Sequence, residues 1–354
     1  MIVPGSTIGI LGGGQLGRML AIAAASMGYR VHIFAPDEEL PAGDVAAEIT
    51  RASYTDRAAL EAFAASVDVV TLEFENVDAA SVALLANLVP TRPGARALEI
   101  AQDRVAEKEF FVSLGGRVAP YRAVSSLADL EAAAYEIGAP GILKTRRFGY
   151  DGKGQARIDA DASLDEAWVN IGERPAIYEG FVDFEAEFSL LLARAKNGET
   201  VAYPAVHNVH GGGILERSAI PAPPLVAAQV AEAEALARTA ADALGYVGLL
   251  TLEFFAGNDG PVVNEMAPRV HNSGHWTIEG AHTSQFENHI RAICGLPLGD
   301  PRLSARGVSM QNLVGDAVHD WARILADPRA HLHLYGKSEV KPGRKMGHVT
   351  WLED

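Results

Sequence analysis

The chain has 354 residues, is 48% hydrophobic and carries a formal net charge of −15. The length predicts two or three domains with ample apolar residues for their cores, and the acidity argues against a surface built to coat nucleic acid or anionic membrane. A single cysteine, Cys294, excludes an internal disulfide framework, and its apolar flank suits core packing rather than a reactive thiolate. With no cationic leader and no run of eighteen apolar residues, a soluble protein of the reducing cytoplasm is expected.

In chain order, residues 7–12 read as a buried strand and Gln15 to Met27 as a helix. A strand from Tyr29 to Phe34 and another from Val67 to Leu72 continue the alternation, so the first ~95 residues predict a parallel α/β domain. Pro90 to Gly94 marks a break, and 97–114 reads as one helix with interleaved charges. Strands are expected at 141–144, 176–179 and 188–193, then an alanine-rich amphipathic helix from Ala227 to Leu244. Leu249 to Phe255 and Pro261 to Met266 flank a turn composition, Ala256 to Gly260, that predicts a hairpin. The tail, rich in Gly, Pro, His and Lys, reads as irregular.

Five segments carry chemistry. Gly12-Gly13-Gly14-Gln15-Leu16-Gly17 fits G-x-G-x-x-G between a strand and a helix, with Asp37 about twenty residues on, the spacing of a dinucleotide fingerprint. The same geometry also serves any phosphate or carboxylate, or simply a tight turn with no ligand. Lys144 to Gln155 packs three glycines and four cations into twelve residues, a composition that can line a polyphosphate with N–H groups and positive charge. It lacks P-loop spacing, and an ordinary basic hairpin is the plain alternative. Lys144 itself ends an apolar strand, a costly place for an unpartnered charge.

Glu253 and Glu265 have indices summing to 518, so a hairpin centred on residue 259 sets them opposite each other. Like charges across a ladder repel, and a bridging cation with oxygen preference, Mg²⁺, relieves them. A one-residue slip would instead send one glutamate to solvent. Pro268 to Thr277 is dense in directional donors, and Lys341-Pro342-Gly343-Arg344-Lys345 groups three cations on a bent segment of an acidic chain. His271 and His275 are four apart, but the Ser273-Gly274 between them argues against a helical zinc pair and for anion or ribose contacts.

Together these segments resemble ATP-grasp enzymes, and within them the 5-(carboxyamino)imidazole ribonucleotide synthetases. The most specific stretches are Arg269 to Trp276 and Pro342 to Lys345, supported by Gly14 to Met19, Gly149 to Gln155 and Asn264 to Thr277. The resemblance implies an α/β ATP-grasp fold: an N-terminal parallel domain over 1–98, an ATP-grasp region over 108–294 with a lid at about 120–182, and a segment 295–354 completing the substrate site in a mixed-sheet domain. It implies an ATP site of Arg104, Lys144, Gly149, Tyr150, Asp151, Gly152, Lys153, Gly154 and Gln155. Glu179, Gly180, Phe181 and Val182 would face adenine and Glu187 the ribose, with His210, Asn264 and Glu265 nearby. Mg²⁺ would be held by Glu253 and Glu265. The ribonucleotide would meet Gln15, Leu16, Tyr150, Arg269, His271, Asn272, Ser273, Lys341, Arg344 and Lys345, with Asp151, Arg269 and Lys345 as the catalytic residues. The implied reaction joins ATP, bicarbonate and aminoimidazole ribonucleotide, in a homodimer without nucleic-acid or membrane partners. Another ATP-grasp carboxylase and a nicotinamide-dependent oxidoreductase are the rival readings.

Overall fold

The computed structural model describes residues 1–147, 149 and 154–353. The first domain is a parallel sheet of β1 (Thr7–Leu11), β2 (Arg30–Phe34), β3 (Glu48–Thr50) and β4 (Val69–Leu72) in the order β3-β2-β1-β4. Its near-continuous apolar strands are those of a sheet covered on both faces. Helices α1 (Gln15–Ser26), α2 (Arg57–Ala65) and α3 (Ala79–Ala86) supply the cover. The expected single helix over 97–114 is two helices, α4 (Ala95–Ala101) and α5 (Arg104–Ser113). Asp103 is the reason: its carboxylate accepts the Val105 and Ala106 N–H groups and so starts α5 afresh.

A second, four-stranded antiparallel sheet contains β5 (Tyr121–Val124), β6 (Gly141–Thr145), β7 (Gln155–Ile158) and β8 (Ala176–Gly180), in the order β5-β8-β6-β7. Helices α6 (Leu127–Ile137) and α7 (Leu164–Asn170) close its core around Leu143, Trp168 and Tyr178.

The largest sheet contains β9 (Ala186–Arg194), β10 (Thr200–Ala202), β11 (Val206–Gly211), β12 (Ile214–Ile220), β13 (Gly248–Gly257) and β14 (Gly260–Ala267). The tail is not irregular, as its composition suggested. It adds β15 (Gly307–Val314), β16 (His331–Leu334) and β17 (Lys345–Glu353), giving the order β14-β13-β9-β11-β12-β15-β17-β16 with β10 beside β9. These ladders are antiparallel, and a parallel bridge from Val118 to Val263 extends the edge. Helix α8 (Pro224–Ala243), opened by Pro224, packs small alanines onto β9 and β13. Helices α9 (Thr277–Gly280), α10 (Gln285–Cys294) and α11 (Trp321–Leu325) complete the chain. Buried His289 on α10 bonds Thr71 Oγ1 at 2.7 Å and accepts the Leu249 N–H at 3.1 Å, tying the first domain to the large sheet. Among the described residues no helix is long and apolar enough to cross a membrane.

Candidate functional site

The three sheets meet around a cleft of about 1080 Å³. The glycine-rich turn after β1 forms one wall, but its amides are already occupied. Glu73, just past the carboxyl end of β4, accepts the Gly14 N–H at 2.5 Å and the Gly17 N–H at 2.9 Å. A Cβ at Gly12 or Gly14 would collide with that carboxylate, which explains the glycines without a dinucleotide. The protein's own carboxyl group sits where a pyrophosphate would, at the start of α1. Gln15 and Leu16 follow and line the cleft.

Strands β6 to β8 bring cations to the opposite wall. Lys144, near the end of β6, is balanced by Glu179 on β8 at 2.8 Å, the partner its setting demanded. Burial opposes ionisation of Glu179, yet Lys108 and Lys144 hold its pKa below the usual carboxylate value. Arg104, first residue of α5, donates to the Gly149 carbonyl at 3.3 Å and lies 3.8 Å from Glu265. Asp103 also receives Arg146 at 2.6 Å and Arg147 at 3.2 Å, so one buried carboxylate orients the base of the glycine-rich segment. Gln155 opens β7 on the cleft wall. Tyr150, Asp151, Gly152 and Lys153 lie outside the described residues. Ile142, Phe184 and Phe255 give this end of the cleft apolar surface suited to a base, with Phe184 stacked on Phe255 at 4.5 Å.

The floor is the β13–β14 hairpin. Glu253 and Glu265 do face each other, though not by the simple ladder expected. The turn is tighter, Gly257 pairing with Gly260, and a bulge between Glu253 and Phe254 restores the register that the shorter turn would have shifted. Burial, then the neighbouring Glu265, pushes the Glu253 carboxyl up to about 8. His271 Nδ1 accepts the Ser273 N–H at 3.3 Å, which leaves Nε2 to approach Glu253 Oε1 at 3.1 Å. A second carboxylate–imidazole contact, His210 Nδ1 to Glu187 Oε2 at 2.9 Å, stands where the β11–β12 ladder bulges, Glu216 being the extra residue on β12. Burial works against the His210 charge, but Glu187 and Glu253 keep its pKa above the usual value.

Two carboxylates set in register, one of them destabilised as an anion, are the donor set of a hard cation. Among the described residues no three His, Cys, Asp or Glu side chains form a complete metal cage. The pair therefore suits Mg²⁺, which keeps water or phosphate oxygens in its shell.

Arg269 forms a half-buried ion pair with Glu75, and its Nη1 donates to the Val270 carbonyl at 3.0 Å. Asn272 exchanges amide bonds with Asn312 of β15 at 2.9 and 2.8 Å, so the tail strands brace this segment. Ser273 does not reach the cleft: it is fully buried, with its hydroxyl 2.8 Å from His271 Nδ1. Lys341, Arg344 and Lys345 line the cleft mouth. Lys341 pairs with Glu339 at 2.8 Å and Arg344 with Glu39 at 2.5 Å.

The cleft thus gathers most of the expected residues, including Glu187, His210, Asn264 and Gly149. Gly154, Glu179, Gly180, Phe181 and Val182 are off its wall. The Glu179 side chain turns into the lysine cluster, and the Phe181 ring lies under the Arg157 guanidinium at 4.9 Å. Sequence reasoning missed Glu73, Glu75, Asp103, Glu107, Lys108 and Lys337. The signal for Glu73 and Glu75 was available, since ligands of open α/β sheets gather at the carboxyl ends of strands.

Residues 5–102 match the ribonucleotide synthetase preATP-grasp domain, 109–286 the ATP-grasp domain, and 309–354 the phosphoribosylaminoimidazole carboxylase C-terminal domain. The chain is 50% identical to an N5-carboxyaminoimidazole ribonucleotide synthase of Brucella melitensis, across 99% of this chain and 97% of the relative. It superposes on an ADP complex of an N5-carboxyaminoimidazole ribonucleotide synthetase with a TM-score of 0.96 and 42% identity, over 100% of this chain and 94% of that one. The Aspergillus clavatus enzyme in complex with ADP and 5-aminoimidazole ribonucleotide matches at a TM-score of 0.91 and 32% identity, over 98% of this chain and 93% of that one.

Proposed function

The chain belongs to the N5-carboxyaminoimidazole ribonucleotide synthetase family of ATP-grasp ligases, and from that premise we propose how its cleft works. The protein is an ADP-forming carbon–nitrogen ligase that carboxylates 5-aminoimidazole ribonucleotide, with ATP and bicarbonate, in purine biosynthesis. One observation carries the assignment of roles: the Glu253–Glu265 pair lies on the floor of a cleft whose walls supply Arg104 and Lys144 on one side and Arg269, Lys341 and Arg344 on the other.

On this reading the ATP phosphates lie over the hairpin against Arg104, Lys144 and the segment 149–155, with Glu187 and His210 toward the ribose. Glu253 and Glu265 would hold Mg²⁺, which would supply charge neutralisation for the phosphates. A bicarbonate oxygen attacks the γ-phosphorus and ADP leaves, giving carboxyphosphate. The carbon–oxygen bond to phosphate then breaks, and the exocyclic amine of the ribonucleotide takes the carboxyl group and loses a proton. Positioning and charge neutralisation do most of this work, as in other phosphoryl transfers. Asp151, outside the described residues, is the proton acceptor we assign, and Arg269 and Lys345 the cations beside the reacting groups. His271 and Asn272, braced by Ser273 and Asn312, hold the nucleotide, whose phosphate faces Lys341 and Arg344.

We read the chain as three units, 1–98, 108–294 with a lid at about 120–182, and 295–354. A homodimer in the cytoplasm is the expected state, which sedimentation equilibrium and fractionation test. The activity is tested by ADP release: it should require bicarbonate and aminoimidazole ribonucleotide together. Equal ADP release without the ribonucleotide would remove it as the carboxyl acceptor.

A further inference from the structure

Asn264 is the extra residue of the β13–β14 ladder: Glu265 pairs with Glu253 and Val263 with Phe254, which leaves Asn264 with no residue opposite. A bulge takes ladder bonds away from the backbone, and a buried carbonyl so stripped needs another donor. Lys108 supplies it. Its ammonium, only 2% exposed, donates to the Asn264 carbonyl at 2.8 Å and to the Val263 carbonyl at 3.3 Å. The preceding residue of α5, Glu107, is equally buried and accepts the Met266 N–H at 2.6 Å. The carbonyl before Glu265 and the N–H after it are therefore both gripped by one dipeptide of a neighbouring helix.

Stability alone does not explain this choice. Burying charged groups is expensive, and well-packed apolar residues in their place are often as stable or more so. Its ion-pair neighbour Glu179 is 3.9 Å away, beyond hydrogen-bonding distance, and Glu107, Lys144 and Arg104 also lie in its field. What the pair does deliver is a fixed position. A strand slipped by one residue turns every side chain to the other face, and here the slipped residue would be Glu265.

We propose that Glu107 and Lys108 are positioning residues for the cation site, holding both peptide groups that flank Glu265 so that its carboxylate stays opposite Glu253. The inference rests on the reading of Glu253 and Glu265 as Mg²⁺ ligands. Whether Lys108 carries its proton is immaterial to it, because the amine donates in either state.

The test uses the full-length protein and Mn²⁺, a paramagnetic stand-in titrated in the presence of ADP, with ADP binding in EDTA measured separately. In Lys108→Met, Mn²⁺ binding should weaken by ~10–100-fold, the scale for losing a group that orients a metal ligand. Metal-free ADP binding should stay close to wild type. Glu265→Gln must itself lose Mn²⁺ binding; if it binds as wild type does, the cation reading fails and the clamp has nothing to position. If Glu265→Gln loses the ion while Lys108→Met keeps it, the clamp is wrong. An equal loss of metal-free ADP binding in Lys108→Met also overturns it, since Lys108 would then act through Glu179. Should circular dichroism show Lys108→Met unfolded, Glu107→Ala removes the grip on Met266 alone, and the same loss and the same refuting result apply to it.

Discussion

Replacing Arg344 by alanine isolates the ribonucleotide phosphate, and the structure sets the size of the effect. The guanidinium is already oriented: Nη2 meets Glu39 Oε2 at 2.5 Å and Nη1 donates to the Glu339 carbonyl at 2.7 Å. Hydrogen bonding from Arg344, helped by Ser338, holds the Glu39 carboxyl down at about 2, so it is a fixed anion at neutral pH. A phosphate brought to this fork gains charge-assisted hydrogen bonds worth ~1.5–3 kcal/mol. Glu39 repels the same phosphate, which moves the expected loss to the lower part of that range, ~1.5–2 kcal/mol or roughly ten- to thirtyfold in Kd. An exposed cation with no phosphate to hold should matter by less than ~1 kcal/mol. Calorimetric binding of the ribonucleotide and of its dephosphorylated nucleoside, to wild type and Arg344→Ala, closes a double cycle. The nucleotide should lose affinity, the nucleoside should not, and ATP binding should be unchanged. Glu39→Gln should leave nucleotide affinity equal or improved. Equal losses for nucleotide and nucleoside would refute the phosphate placement.

Asp151→Asn keeps size and removes basicity, so kcat should fall by ~10²-fold or more with the Michaelis constant for ATP little changed; steady-state kinetics that show an equal rise in that constant would make Asp151 an ATP ligand instead. Burial lowers the His289 pKa to about 3, so between pH 6.5 and 3 the unfolded chain binds a proton that the folded one refuses. Stability should therefore decline as pH falls through that window, by roughly 2–3 kcal/mol from this residue at pH 4.5. Denaturant melts of His289→Gln should show a shallower acid limb than wild type, and parallel curves would exclude His289 as its source.

What the sequence made legible was local. The β1–α1 turn, strands β6 and β8 and the β13–β14 hairpin each carry their signal within a few residues, in apolar period and turn composition. The Glu253–Glu265 pairing was found by index arithmetic, yet it holds only because a bulge offsets a tighter turn, and no local residue announces that bulge. The sequence reads as one helix over 97–114 because Asp103 looks like one more charge on a helix face, whereas its carboxylate caps α5 and collects Arg146 and Arg147, 43 and 44 residues on. The tail reads as irregular in sequence because its strands are short of apolar alternation and gain their order from β12, about 90 residues earlier. Glu73 and Lys108 were invisible for the same reason. Each acts on backbone groups distant in sequence, the N–H groups of Gly14 and Gly17 and the carbonyls of Val263 and Asn264. The glycine fingerprint leaves a ligand-free tight turn among its readings, and the remote Glu73 carboxylate that takes the Gly14 and Gly17 N–H groups favours that one.

The central claim, that bicarbonate accepts the γ-phosphoryl group in this cleft, is tested most directly with ¹⁸O-labelled bicarbonate. Wild-type protein would be supplied with unlabelled ATP and aminoimidazole ribonucleotide, and the released phosphate analysed by mass spectrometry. Attack by a bicarbonate oxygen followed by carbon–oxygen cleavage predicts phosphate carrying one labelled oxygen per turnover. Phosphate free of label, formed while the ribonucleotide is carboxylated, would contradict the account and make the nucleotide or water the phosphoryl acceptor.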